Sequence, residues 1–182
     1  MHPDLAKLAR RQRGAFTRQQ ALDHHSASTI ERRLAGKRWR ALLPGVYCDS
    51  SVPDSPALTI RAALLYAGEG ARVSHATAGG LFAVDSQSCP DIHITVPYER
   101  LVAPQPGLVP HRSRRLTGAQ VTTHKRIPTT SATRTIVDLT DVLERPLLDA
   151  ALADAIRQGL VSVDYLVEDM TDRLRLARAD RA

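Results

Sequence analysis

The stretch from Thr17 to Tyr47, TRQQALDHHSASTIERRLAGKRWRALLPGVY, decides how this chain reads. Thr17-Arg-Gln-Gln20 and Ser28-Thr-Ile-Glu31 each have the form of a capping box, in which a hydroxyl caps a helix and a residue three later reaches back. They predict helices over about Arg18 to His24 and about Thr29 to Ala35, joined by the turn His25-Ser26-Ala27, the second ended by Gly36. Trp39 to Leu43, Pro44-Gly45 and Val46 to Cys48 then read as strand, tight turn, strand. Upstream, Leu5, Leu8 and Ala9 fall at helical spacing and predict a helix over roughly Pro3 to Gln12, stopped by Gly14. A helix, two capped helices across a short turn and a hairpin make the order of a winged helix-turn-helix, expected over residues 1–50.

The charge distribution says what such a unit would touch. Ten Lys and Arg stand against four acids between Met1 and Ser50, which is the whole +6 of the chain, while the rest carries 15 of each sign. A polyanion-binding face is therefore expected at one end, with an electrically balanced body behind it. An aromatic content of 4% argues against a stacking platform for single strands. Duplex DNA is the expected partner. In a winged helix the second helix of the motif reads base edges from the major groove while the hairpin follows the backbone. The candidate contacts are then Arg18, Ser26, Ser28, Thr29, Arg32 and Arg33, with Lys37, Arg38 and Arg40 from the wing. Arg32 and Arg33 are the foremost readers, since arginine bonds guanine bidentately. Trp39, Leu42, Val46 and Tyr47 form the wing's inner face.

Asp49-Ser-Ser-Val-Pro-Asp-Ser-Pro56 holds two prolines and three serines and reads as a linker, with the boundary near Asp54 and a second domain over residues 55–182. There the patterns predict helices at Leu58 to Tyr66, capped by Ser55, and at His75 to Phe82, capped by Ser74. Strands follow at Asp91 to Pro97, Gly107 to Arg112 and Val121 to Ile127, then helices at Ser131 to Leu143, Pro146 to Gln158 and Ser162 to roughly Arg173. The expected class is α+β, a winged helix followed by a mixed α/β domain with a small antiparallel sheet and C-terminal helices. His111-Arg112-Ser-Arg114-Arg115, with Lys125-Arg126 behind it, would extend the DNA footprint if its flanking strands pair as a hairpin; a solvated sheet edge kept charged is the alternative.

QRGAFTRQQALDHHSASTIERRLAGKRWRALLPGVY, followed by VSHATAGGLFAVD, DIHITVP, HRSRRL and IPTTSATRTIVDLTDVL, resembles the AbiEi family of type IV toxin–antitoxin antitoxins, from about residue 10 to residue 166. The resemblance implies a winged helix that binds operator DNA and represses its own operon. It implies, too, a larger α/β domain that counters a partner nucleotidyltransferase toxin. The DNA-binding helix of the family falls on Ser28 to Ala35 and its wing on Arg38 to Tyr47. Similar longer proteins continue into a nuclease-like domain, which this sequence, ending at Ala182, does not contain. Two alternatives stand beside a transcriptional repressor: a toxin-neutralising protein-interaction module without specific DNA binding, and the DNA-targeting part of a nuclease lacking its catalytic domain.

Nothing in the sequence calls for catalysis. His75, His93, His111 and His124 lie on different expected elements and make no spaced ligand pair, so only the fold could assemble a metal site from them. Pro90-Asp91 lacks the second acid and lysine of a restriction-type nuclease, and no nucleophile elbow, phosphate loop or dinucleotide fingerprint occurs. The expectation is a protein that is not an enzyme, with no cofactor, metal or small-molecule substrate. No apolar run reaches membrane-span length and the amino terminus lacks a secretory core, so no membrane partner is expected and the cytoplasm is. Cys48 and Cys89 are expected to be reduced and buried.

Overall fold

In a computed structural model, residues 1–84, 89–114, 116, 118–164, 166, 167 and 171 are described, and the chain divides into two compact units, Met1–Glu69 and Gly70–Ala182. The fold is mixed α+β, with seven α-helices and two sheets among the described residues.

The first unit runs α1 (Pro3–Arg11), β1 (Ala15–Thr17), α2 (Arg18–Leu22), α3 (Ala27–Ala35), β2 (Trp39–Leu43), β3 (Val46–Asp49) and α4 (Pro56–Ala67). Its strands pair antiparallel in the order β1-β3-β2. This is the winged-helix topology, with a short strand between α1 and α2 that the sequence reading lacked. Because side chains alternate across a strand, the small sheet has two buried faces. Phe16, Trp39 and Tyr47 meet Leu5, Ala9, Ala21 and Ile30 of the three leading helices on one. Ala15, Val46 and Cys48 meet Leu58 and Ala62 of α4 on the other. Burying each large side chain of this set contributes roughly 1.5–3 kcal/mol.

The Thr17–Gln20 capping box forms as expected: the Gln20 N–H donates to Thr17 Oγ1 at 3.1 Å and the Thr17 N–H to Gln20 Oε1 at 2.9 Å. Gln20 also exchanges two amide bonds with Gln12, which fastens α2 to the end of α1. The second box does not form. Helix α3 starts two residues early, at Ala27, because Ser26 rather than Ser28 caps it through the Thr29 N–H.

The boundary expected near Asp54 falls instead after Glu69, and helix α4 belongs to the first unit. The proline-rich segment is fastened rather than free: Arg40 Nη2 donates to Val52 O at 3.1 Å and to Asp54 Oδ1 at 2.7 Å. Gly14, at φ +101°, admits Val52 so closely that a Cβ there would lie 2.8 Å from Val52 Cγ1. Ser55 caps α4 as expected.

The second unit carries β4 (Arg72–Val73), α5 (His75–Phe82), β5 (Ile92–Pro97), β6 (Leu108–Ser113), β7 (Val121–His124), β8 (Ile127–Thr130), α6 (Ala132–Leu139) and α7 (Arg145–Arg157). In place of a small antiparallel sheet it has five strands in the order β6-β5-β4-β8-β7, with β5–β6 and β4–β8 parallel. The expected strand over Val121 to Ile127 is two strands. Lys125 (φ 48°) and Arg126 (φ 65°) both adopt the left-handed conformation and turn the chain back as a two-residue hairpin. The helix expected from Ser162 to roughly Arg173 lies in part outside the described residues.

One polar knot holds this unit together. Arg134 on α6, nearly fully buried, donates from Nε to the fully buried Asp138 at 2.7 Å and from Nη1 to Gln120 Oε1 at 2.9 Å. Removing one partner of a buried pair strands the other charge, so Asp138→Ala is expected to lower the unfolding free energy by about 3–5 kcal/mol, read by urea denaturation followed by far-UV circular dichroism. A variant as stable as the parent would contradict this role.

Candidate functional site

Helix α3 places three hydroxyls and two guanidiniums at one edge of the first unit. Its buried side is set by Ile30, with Leu34 partly buried one turn on, so Glu31 and Arg32 between them face outward. Ser26 and Ser28 are exposed and Thr29 half-buried, and the Ser26 hydroxyl bonds Thr29 Oγ1 at 3.0 Å and Ser28 Oγ at 3.1 Å. Arg32 is exposed and has no ion-pair partner among the described residues. Lys37 and Arg38, also exposed, follow Gly36 at the foot of the wing, Lys37 in the left-handed conformation at φ 52°.

The remaining members of the expected set are placed differently. Arg33 is half-buried, its guanidinium 5.2 Å from the centre of the Trp39 ring. It lies over the aromatic core rather than beside Arg32, so of the two foremost readers only Arg32 projects. Arg40 is committed to Asp54 and Val52. The wing therefore presents no cation along its length: its turn is Pro44-Gly45, and its one basic strand residue is paired. Arg18 sits at the start of α2 and pairs with Glu31 of α3 at 3.5 Å, an exposed contact between the two helices of the motif. Lys7, Arg10, Arg11 and Arg13 are exposed on and just after α1. His25 stands edge-on to Trp39 at 5.6 Å, and burial, with Arg33 nearby, lowers its pKa, which favours the neutral ring.

The second basic cluster does not form as expected. Strand β6 pairs only with β5 at one edge of the sheet, and β7 with β8 at the other, so Arg112 and Arg114 share no edge with Lys125 and Arg126. Arg112 and Arg114 instead stack on Tyr98, at 4.8 and 4.3 Å from its ring centre. Arg115 lies outside the described residues.

The fold does assemble what spacing along the chain does not show. His75, at the start of α5, His93 on β5 and His111 on β6 come together, while His124 lies apart against Phe82. Burial lowers the pKa of His93 and pushes that of His111 down to about 4, with repulsion from His93 adding to it, so these rings are neutral near pH 7. Cys48 is buried as expected; Cys89 is exposed.

No protein-family model and no curated protein matches the chain. Among solved structures it is similar to the RV2827C protein from Mycobacterium tuberculosis, at a TM-score of 0.57 and 15% identity, over 89% of this chain and 68% of that one. At that identity the likeness is one of fold.

The early start of α3 has a direct test. Ser26→Ala is expected to lower stability by about 1 kcal/mol and Ser28→Ala by only a few tenths, measured by urea denaturation with Trp39 fluorescence as the reporter for the first unit. The reverse ranking would restore the later start.

Proposed function

We propose that the chain is a sequence-specific DNA-binding repressor of the type IV antitoxin kind, acting in the cytoplasm and controlling its own operon. The observation that carries this reading is the outward side of α3, where Ser28 and Arg32 stand exposed, with Lys37 and Arg38 at its end. They belong to a unit with eleven bases against six acids, a balance of +5, whereas the second unit is nearly neutral at +1. A groove-sized helix with an unengaged arginine and hydroxyls at its start has the parts of direct readout, and the surrounding bases have those of phosphate contact.

The reader is narrower than nine residues. Arg32 reaches base edges, Ser26, Ser28 and Thr29 bond phosphate or base, and Lys37 and Arg38 neutralise the backbone. Arg33 and Arg40 act by holding the unit together, and Arg18 by joining α2 to α3. The AbiEi resemblance supports the operator as target and a nucleotidyltransferase toxin as protein partner. In the second unit Leu101, Ile156, Val163 and Val167 are exposed, side chains of the type a protein partner covers.

Fluorescence anisotropy with a duplex from the gene's own upstream region tests the DNA half. Arg32→Ala is expected to weaken binding by about 1–3 kcal/mol and to relax discrimination against unrelated duplex. Arg38→Ala should reduce the slope of log affinity against log salt by about 0.9, whereas Arg40→Ala, whose charge is already paired, leaves the slope unchanged. Binding that is weak, indifferent to sequence and unaffected by Arg32→Ala would remove this reading in favour of a protein-interaction module.

A further inference from the structure

We infer that His75, His93 and His111 hold a divalent transition-metal ion of the zinc class, in a site built within the sheet of the second unit. Each of the three offers one ring nitrogen, and these nitrogens all lie within 4.8 Å of one another. His75 and His93 are only 3% and 6% exposed. Zinc–imidazole bonds of about 2.0–2.1 Å set tetrahedral ligand nitrogens about 3.3 Å apart, so closing the site takes side-chain shifts on the order of 1.5 Å and rotation of the His75 and His111 rings out of their stack, where the centroids lie 3.6 Å apart. The neighbouring strands supply the rigidity: His93 and His111 stand on the parallel pair β5–β6, and the β4–β5 pairing places His75 beside them.

Two of the three rings have an outer partner on the far nitrogen or beside the helix start. His93 Nδ1 faces His111 Nε2 at 3.0 Å, and the far side of the His93 ring, Nε2, meets Cys89 Sγ at 3.4 Å. His75 Nδ1 lies 2.9 Å from Ser74 Oγ, which itself accepts from the Thr95 hydroxyl at 2.8 Å. In the tautomer that donates Nδ1–H to Ser74, His75 carries its lone pair on Nε2. Such outer contacts fix ring tautomer and orientation in metal sites.

Ser74 makes the case from a second direction. It is the N-cap residue of α5, yet its side chain makes no cap bond; the hydroxyl is given to the His75 ring instead. His75 itself is held at φ 49°, a left-handed conformation that a non-glycine residue adopts at a cost of about 1–3 kcal/mol. A helix start that forgoes its cap and strains its first residue is spent on aiming an imidazole.

The ion replaces the single proton between His93 Nδ1 and His111 Nε2, and that proton moves to the outward nitrogen of its own ring, which stays neutral. Three imidazoles leave one position for water or an anionic ligand. A cavity of about 450 Å³, bordered by Ala76, Cys89, His93, Val142, Glu144 and Leu147, adjoins the cluster at His93.

Cobalt(II) titration of the untagged full chain, followed by visible absorption, tests the site. It is done in a His2→Ala background, because His2, Asp4 and His24 form a second, more exposed group that could take the ion. The expected result is one cobalt per chain with the absorption of a nitrogen-ligated ion, displaced by zinc(II). His111→Gln, at a half-exposed edge-strand position, is expected to reduce affinity at least tenfold with unchanged far-UV circular dichroism. As a second measurement, zinc should raise the unfolding midpoint of the His2→Ala chain and leave that of the His111→Gln chain in place. No saturable cobalt binding, or equal binding and equal zinc stabilisation in both chains, would overturn the proposal.

Discussion

The contact on which the first unit depends is made by Trp39. Its ring, 1% exposed, meets Phe16 edge-on at 4.8 Å, while the Arg33 guanidinium lies 5.2 Å from its centre and His25 stands against it at 5.6 Å. One side chain thus joins the first strand, the turn between α2 and α3, helix α3 and the root of the wing. Aromatic pairs of this geometry add about 0.5–1.5 kcal/mol beyond the area they bury, and the more important effect is directional. With Trp39 seated, α3 can turn only its Ser28–Arg32 side to solvent.

That seating divides the bases by role. A net charge segregated at one end of the chain draws a polyanion, but charge count does not say which cations remain available. Arg33 is drawn down onto the tryptophan and Arg40 across to Asp54, and both then support the helix and hairpin that carry them. Of the bases expected on the motif and its wing, what is left is compact: Arg32 with the α3 hydroxyls, then Lys37 and Arg38 at the foot of the wing.

Local chemistry was legible and pairing was not. The Thr17 box, the Ser55 cap and the Pro44-Gly45 turn need only neighbouring residues, and each forms where it was read; Ser74, read as a cap too, makes no cap bond. Ser26 and Ser28 compete for one helix start on nearly equal local terms, and the hydroxyl cluster they share with Thr29 settles on the earlier one. Strands β1 and β4 are three and two residues long and exist only through distant partners. Lys125-Arg126 turns the chain without glycine, so the hairpin it makes left no sign. The serine- and proline-rich segment read as a linker because its composition says nothing of Arg40, which binds it. The histidine group is the clearest case, since His75, His93 and His111 are brought together by the parallel crossover from β5 to β6 and by the short β4–β5 pairing, neither of which leaves a periodic mark.

The central claim, that the outward side of α3 is the DNA-reading surface, is tested most directly by backbone amide NMR of the full chain titrated with a duplex from its own upstream region. The account predicts the largest shifts over Ser26–Arg38, with the Arg32 side-chain Nε–H among the resonances that move. Shifts centred on β6 around Arg112 and Arg114, or on the second unit alone, would contradict it.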